Sequence, residues 1–141
     1  MSITGLAVFD TTVQETNLWL KAIMEALHTD DRHLAYLALR APLQGLRDRL
    51  GPENAVHLAA QLPMLLRGLY YEGWRLAASQ TKERTRADFL EHVRRELPRG
   101  AAIDPNVAAR AVFGVMWAKL DLGEVGKVVD HLPEELKELW R

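Results

Sequence analysis

Apolar side chains recur along this chain at intervals of three and four residues, and no segment alternates apolar and polar positions for the length of a strand. The first pattern is typical of an α-helix with one buried face, whereas a half-buried strand requires the second. In the predicted first helix, residues 12–27, the buried stripe consists of Leu20, Ile23, Met24 and Leu27. The pattern therefore predicts an all-α fold.

The chain aligns with itself without a gap when it is shifted by 70 residues. Between residues 17–71 and 87–141, ten positions are identical: Leu20 and Leu90, Leu27 and Leu97, Ala38 and Ala108, Arg40 and Arg110, Ala41 and Ala111, Leu50 and Leu120, Leu62 and Leu132, Pro63 and Pro133, Leu66 and Leu136, Leu69 and Leu139. A repeat of this length indicates a tandem duplication rather than a solenoid of short units. We predict a first repeat over residues 1–76, a linker over 77–84 and a second repeat over 85–141, related by a pseudo-twofold axis.

Proline, glycine and capping side chains divide each repeat into about four helices. An Asp or Thr that accepts free amides favours a helix start, as does proline, and glycine or proline beyond the last turn favours an end. Thr85 and Asp88 have the spacing of a capping box. The predicted helices cover residues 12–27, 30 or 31 to 50, 52–61, a segment beginning at 63, and then 85–97, 104–120, 123–130 and 133–140.

Pro42 lies inside the second predicted helix. Proline lacks an amide hydrogen, and its ring collides with the preceding turn. We therefore predict a kink or break between Ala38 and Pro42. The corresponding helix of the second repeat has Val112 at this position and should lack the distortion.

Composition narrows the class of protein. The chain has 141 residues, 48% of them hydrophobic, a formal net charge of −1 and no cysteine. A chain of this size buries about two thirds of its surface in one compact domain. Without cysteine, disulfides, iron–sulfur clusters and thiol nucleophiles are excluded. Residues 54–66 form the longest stretch without Asp, Glu, Lys or Arg, which is too short for a bilayer, and the N-terminus lacks a basic leader, so we expect no membrane association and a cytoplasmic location.

The search for catalytic motifs finds none. The chain lacks the paired histidines of zinc proteases, the phosphate-binding glycine loops, the serine hydrolase elbow and the Glu-x-x-His of di-metal bundles. His28 and His33 flank Asp30 and Asp31, and these four side chains are of the types that bind a metal at a protein surface. A turn followed by a helix cap explains the same residues and is the favoured interpretation. We therefore expect neither an enzyme nor a bound cofactor or metal.

Two arginines, Arg40 and Arg110, occupy matching positions in the repeats, among small alanines that allow close helix approach. A guanidinium that loses water needs a carboxylate or carbonyl partner. We expect both to be mostly buried, either in two structural ion pairs or around one shared anion. Glu53 is the candidate partner of Arg40 and Glu124 that of Arg110, because each glutamate begins a short third helix.

Three aromatic rings lie within five residues, at Tyr70, Tyr71 and Trp74, and Arg75 follows them. Successive helical residues point about 100° apart, so these rings cannot all face one core. We expect some of this aromatic surface to lie either between the repeats or on a face that binds a partner.

Basic side chains are concentrated just downstream, at Lys82, Arg84, Arg86, Arg94, Arg95 and Arg99. Four interleaved acidic residues leave a net charge of only +2. The pattern favours a solvated helix face with pairs such as Glu91 with Arg95, and it keeps a nucleic-acid surface open as an alternative.

Several segments together resemble a known family. They are LRDRLGPENAVHLAAQLPMLLRGLYYEGW at residues 46–74, FLEHV at 89–93, ARAVF at 109–113, GEV at 123–125 and HLPEELKELW at 131–140. In order and spacing the chain is similar to the domain of unknown function 2267 family of small bacterial all-helical proteins, from about residue 9 to residue 140. The resemblance implies a tandem helical architecture and no reaction. The chain departs from the family at Pro42.

These observations favour a non-enzymatic protein–protein interaction or scaffold module that binds a protein partner or a second copy of itself. The alternative is a nucleic-acid-associated or stress-response accessory protein that uses the region from Arg75 to Arg99.

Overall fold

A computed structural model describes residues 2–76 and 82–141. Within these residues the chain forms eight α-helices and a closing 3₁₀ turn, and no strand. The helices are α1 (Ala7–Leu27), α2 (Arg32–Arg49), α3 (Pro52–Gln61), α4 (Met64–Tyr71), α5 (Arg86–Glu96), α6 (Pro105–Lys119), α7 (Leu122–Asp130) and α8 (Glu134–Lys137), and the 3₁₀ turn is Glu138–Trp140. The all-α prediction is confirmed. Most of the predicted linker, residues 77–81, lies outside the described residues.

Several helices begin at the capping residues identified from the sequence. Side-chain oxygens of Asp31, Thr85 and Asp104 accept amides of the first turns of α2, α5 and α6, as predicted. Asp121 caps α7 in the same way, so this helix begins at Leu122 rather than at the predicted Gly123. These caps satisfy amides that a helix otherwise leaves without partners.

The first helix begins at Ala7 rather than at Thr12. Asp10 in its first turn accepts hydrogen bonds from the amide and the hydroxyl of Thr4, at 2.9 and 2.8 Å. An acidic side chain near a helix N-terminus is stabilising, and here it also orders the residues that precede the helix.

Pro42 does not break α2. The helix continues from Arg32 to Arg49 with Pro42 buried inside it, so the predicted break is wrong. Residues 41–48 are all buried, so this part of α2 is packed around its whole circumference. Packing of this extent outweighs the roughly 3 kcal/mol that an interior proline costs. A kink at Pro42 stays a prediction.

Two central helices, α2 and α6, pack against each other. The α1 helix contacts both of them, and α5 also contacts both. On the outer side α4 packs on α2, the 3₁₀ turn packs on α6, and α3 meets α7. The core lies around the central pair, where Phe113 stacks on Trp140 with ring centroids 4.4 Å apart. Over the two described stretches of chain, no helix has both the length and the apolar character of a membrane span.

Candidate functional site

An open cleft lies between α2, the turn after α4, the segment that precedes α5 and the C-terminal part of α5. Its volume is about 510 Å³. We call it the polar cleft, and its lining residues are Arg40, Gln44, Arg47, Asp48, Glu72, Gly73, Arg75, Glu83, His92, Arg95 and Glu96. Four of these, Gln44, Arg47, Asp48 and His92, are buried polar side chains.

The guanidinium of Arg47 anchors the base of the polar cleft. Its Nε donates to Asp48 Oδ1 at 2.9 Å, and its Nη1 donates to the backbone carbonyls of Tyr70 and Glu72, each at 2.9 Å. Gln44 Nε2 donates to the Leu69 carbonyl at 3.0 Å. These bonds fix α2 to the C-terminal end of α4, where free carbonyls favour a positive charge.

His92 joins two carboxylates across the cleft. Its Nε2 lies 3.1 Å from Asp48 Oδ2, and its Nδ1 lies 3.2 Å from Glu83 Oε1. The hydrogen bond to Asp48 raises the pKa of His92 above its ordinary value, against the opposing effect of burial. Burial raises the pKa of Asp48, but hydrogen bonds from His92 and Arg47 outweigh it and hold that pKa below its usual range.

A third carboxylate completes a cluster of metal-ligand type. One ligand atom each from Asp48, His92 and Glu96 lie within 4.8 Å of one another. His92 and Glu96 are one helical turn apart on α5, whereas Asp48 comes from α2. One nitrogen and two oxygens from these side chains can bind a divalent ion or exchange a proton.

Sequence reasoning missed this cluster because its members are far apart in the chain. Asp48 and His92 are separated by 44 residues, whereas metal-binding motifs are recognised from short spacings. A usable signal was present in α2, where Gln44, Arg47 and Asp48 interrupt a helix of buried apolar residues at helical spacing. Polar groups at core positions need partners, so they indicate a buried network.

The matching arginines are placed differently from the expectation. Arg40 and Arg110 are both half-buried rather than mostly buried, and they line different clefts. Arg110 Nε donates to Asn106 Oδ1 at 3.1 Å, and its Nη1 donates to the Glu138 carbonyl at 3.1 Å. Among the described residues no carboxylate lies within ion-pair distance of Arg40.

The two candidate carboxylates contact other side chains. Glu53 lies 3.9 Å from His57 Nε2, and Glu124 lies 3.3 Å from Lys127 Nζ. Both contacts are within one helix, at one helical turn. Arg110 is thus held by a helix-end carbonyl of its own half, which was one of the expected kinds of partner, and not by Glu124.

The three neighbouring aromatic residues, Tyr70, Tyr71 and Trp74, lie partly in the core and partly at the surface. Tyr70 is fully buried, and its hydroxyl donates to the Ala55 carbonyl at 2.8 Å, so it is a core residue rather than part of an interaction surface. Burial raises the pKa of the Tyr70 phenol. Tyr71 and Trp74 are half-buried and stack with centroids 5.5 Å apart, while Arg75 is exposed at the polar cleft.

A second concavity has the opposite character. The apolar groove lies between α1, α2 and α4, with a volume of about 650 Å³. Its lining residues are Phe9, Thr12, Val13, Thr16, Leu20, Tyr36, Leu39, Met64, Leu65, Leu66, Gly68, Leu69 and Glu72. Phe9, Tyr36, Met64 and Leu65 are between 37% and 48% exposed, so the groove presents large apolar side chains to solvent.

Basic residues downstream of the aromatic cluster are partly neutralised. Arg86 pairs with Glu138 at 3.2 Å. Arg94, rather than the predicted Arg95, pairs with Glu91. The pairing supports the interpretation of this surface as a solvated helix face.

A comparison with protein families supports the resemblance that the sequence motifs indicated. The family described as "Uncharacterized conserved protein (DUF2267)" matches residues 16–139, which is nearly the whole chain. The chain belongs to the DUF2267 family. The match includes α2 to α8 in full, so both the polar cleft and most of the apolar groove lie within the DUF2267 region. Among curated proteins, no significant match is found.

Proposed function

We propose that this DUF2267 protein is a docking module whose apolar groove receives the apolar face of a helix from a partner protein. The observation that carries the proposal is the groove itself, whose lining is apolar except for Thr12, Thr16 and Glu72. Exposed apolar surface of this kind, collected in one concavity, is typical of a protein interaction site. A helix-binding groove accepts side chains spaced three and four residues apart on its partner.

We infer a tandem duplication from the alignment of the chain with itself, so the first half can be compared with the second. In support, α2 and α6 end 70 residues apart, at Arg49 and Lys119, and α3 and α7 begin 70 residues apart. The packing also corresponds: α1 contacts α2 and α6, and its counterpart α5 contacts α6 and α2. Each position of the first half therefore has a counterpart in the second.

Counterparts of the groove residues are polar. Met64 and Leu65 correspond to Glu134 and Glu135, and Tyr36 corresponds to Asn106. All three groove residues are at least 37% exposed, so the fold does not need their apolar surface for its core. The second half of the chain forms the corresponding helices with charged and amide side chains at these three positions. The apolar character of the groove is thus best explained by a partner.

An ion pair occupies the corresponding region of the second half. Arg86 at the start of α5 pairs with Glu138 at 3.2 Å, and its backbone amide donates to Glu135 at 3.3 Å. The counterparts of Arg86 and Glu138 in the groove are Thr16 and Gly68, which are small. The first half is therefore open where the second half is bridged.

The test replaces two apolar residues of the groove by the glutamates that occupy the corresponding positions of the second half. Met64→Glu with Leu65→Glu copies the second half, and Val107→Glu on α6, where the side chain is 46% exposed, is the matched control. Both new glutamates lie in the first turn of α4, where negative charge is favourable, so the variant should fold with undiminished stability. Partner capture from cell extract should be lost with the double variant and retained with Val107→Glu.

Identical capture by all three proteins, or specific capture by none of them, would contradict the proposal. Light scattering completes the test. If the unmodified chain is a dimer and the double variant is a monomer, the groove binds a second copy of the chain and the partner assignment is wrong.

A further inference from the structure

We propose that Asp48, His92 and Glu96 form a binding site for a divalent transition-metal ion such as Zn²⁺, on the wall of the polar cleft. The site is independent of the apolar groove, and it does not depend on the docking function. Its three ligands come from two helices that pack against each other, α2 and α5, so the fold brings them together before any ion binds.

The distances suit a metal ion. Zn²⁺ binds histidine nitrogen and carboxylate oxygen at about 2.0–2.2 Å, which places neighbouring ligand atoms of a tetrahedral site about 3.3–3.6 Å apart. Asp48 Oδ2 and His92 Nε2 lie 3.1 Å apart, just below that interval, so a small shift of either side chain admits the ion. One Glu96 oxygen lies within 4.8 Å of one ligand atom of Asp48 and one of His92, and the half-buried Glu96 side chain borders the cleft. A rotation of this one side chain closes the triad.

Neighbouring residues orient two of the ligands. An ion that binds Nε2 of His92 displaces the hydrogen shared with Asp48, while Nδ1 keeps its hydrogen and donates to Glu83 at 3.2 Å. A carboxylate on the far nitrogen of a histidine is the usual support of a metal-binding imidazole. Arg47 holds the other oxygen of Asp48 at 2.9 Å, which leaves Oδ2 for the ion.

Access also favours an ion at this place. Asp48, Glu83 and Glu96 bring three carboxylates to His92 in a cleft that four arginines also line, and one of these, Arg47, contacts Asp48 directly. The cluster lies on an open cleft, and so an ion can enter and keep coordination positions for water or a further ligand.

Donor chemistry selects the class of ion. An imidazole and two carboxylates suit Zn²⁺, Co²⁺ and Mn²⁺, whereas Mg²⁺ and Ca²⁺ prefer oxygen ligands alone. We expect the protein to prefer Zn²⁺ and Co²⁺ to Mg²⁺. The visible spectrum of bound Co²⁺ then reports the coordination directly.

The experiment measures binding of Zn²⁺ and Co²⁺ by calorimetry and absorption, after treatment of the full chain with a chelator. One ion per chain is expected. Glu96→Gln should weaken binding about tenfold or more, because it removes a ligand without touching the bonds of His92. The matched control is Glu91→Gln on the exposed side of α5, which should bind as the unmodified chain does. Denaturation curves establish that both variants are folded.

An exposed pair of histidines provides the competing site. His57 and His131 border one cleft with Glu53 and Glu124. If His57→Asn with His131→Asn abolishes binding while Glu96→Gln leaves it unchanged, the ion binds there and the proposal is wrong. Absence of Zn²⁺, Co²⁺ and Mn²⁺ binding by the unmodified chain up to millimolar concentrations also overturns it.

Discussion

At the scale of the residue, the buried polar side chains of α2 determine how the first half holds together. Gln44 and Arg47 together bind the carbonyls of Leu69, Tyr70 and Glu72 at the end of α4. The Tyr70 hydroxyl returns a hydrogen bond to Ala55 in α3. Buried polar groups of this kind stabilise a fold when all of them are satisfied. Side-chain hydrogen bonds as well as apolar packing thus join α2, α3 and α4.

Replacement of Tyr70 by phenylalanine tests one of these bonds. Tyr70→Phe removes the hydroxyl at 2.8 Å from the Ala55 carbonyl and leaves the ring in place. The expected loss is about 1 kcal/mol of unfolding free energy, since a typical buried hydrogen bond contributes about that much. Urea denaturation measures it, with Tyr71→Phe at the half-buried neighbouring position as the control. Equal midpoints for the two variants would show that the Tyr70 hydroxyl contributes nothing to stability.

At the scale of the element, α2 combines an interior proline with nearly complete burial. The missing amide of Pro42 leaves the Ala38 carbonyl without its usual partner one turn later, which costs roughly 3 kcal/mol in a helix. Buried ring atoms offset part of this cost, at about 0.8 kcal/mol for each buried methylene. The helix persists because the rest of its surface is packed.

Pro42→Ala should therefore stabilise the protein. Alanine restores the amide and loses two buried methylene groups relative to proline, so the two effects leave a net gain of about 1 kcal/mol. Thermal and chemical denaturation measure the difference, and Val112→Ala in α6, which removes buried volume without restoring an amide, should be destabilising. A lower stability for Pro42→Ala would mean that α2 has adapted its packing to the proline ring.

Helices were predictable from sequence where local chemistry marks their ends. Gly51 precedes α3 and Pro52 begins it, and the bounds of this helix agree with the prediction. Asp31, Thr85 and Asp104 cap the helices that they were expected to cap. The polar cleft was not predictable in this way. The contact of Asp48 with His92 depends on the packing of α2 against α5, which periodicity within either helix does not contain.

At the scale of the whole molecule, the two halves share one core. The central helices α2 and α6 belong to different halves, and α1 and α5 each lie across both. His92 adds a polar connection from the second half to Asp48 in the first. Neither half buries its central helix without the other.

We therefore expect the protein to unfold in a single transition. Trp19 and Trp74 lie in the first half, and Trp117 and Trp140 lie in the second. In a Trp74→Phe variant, two of the three remaining tryptophans lie in the second half, and in a Trp117→Phe variant two of the three lie in the first. Tryptophan fluorescence of the two variants therefore reports mainly on different halves, while circular dichroism reports on all helices. Coincident midpoints within each protein are expected for a two-state domain. Separate transitions for the two fluorescence signals would show that the halves fold independently.

The packing of α1 and α5 across both central helices has a consequence for the origin of the chain. A single unit of the proposed duplication would have left one side of its central helix in contact with water, because that side is now covered by the other unit. Two separate copies could have covered each other about a true twofold axis, as homodimers commonly do. Fusion of the genes would then have freed the copies to diverge, one keeping Arg86 and Glu138 as a closing pair and the other keeping an exposed apolar groove.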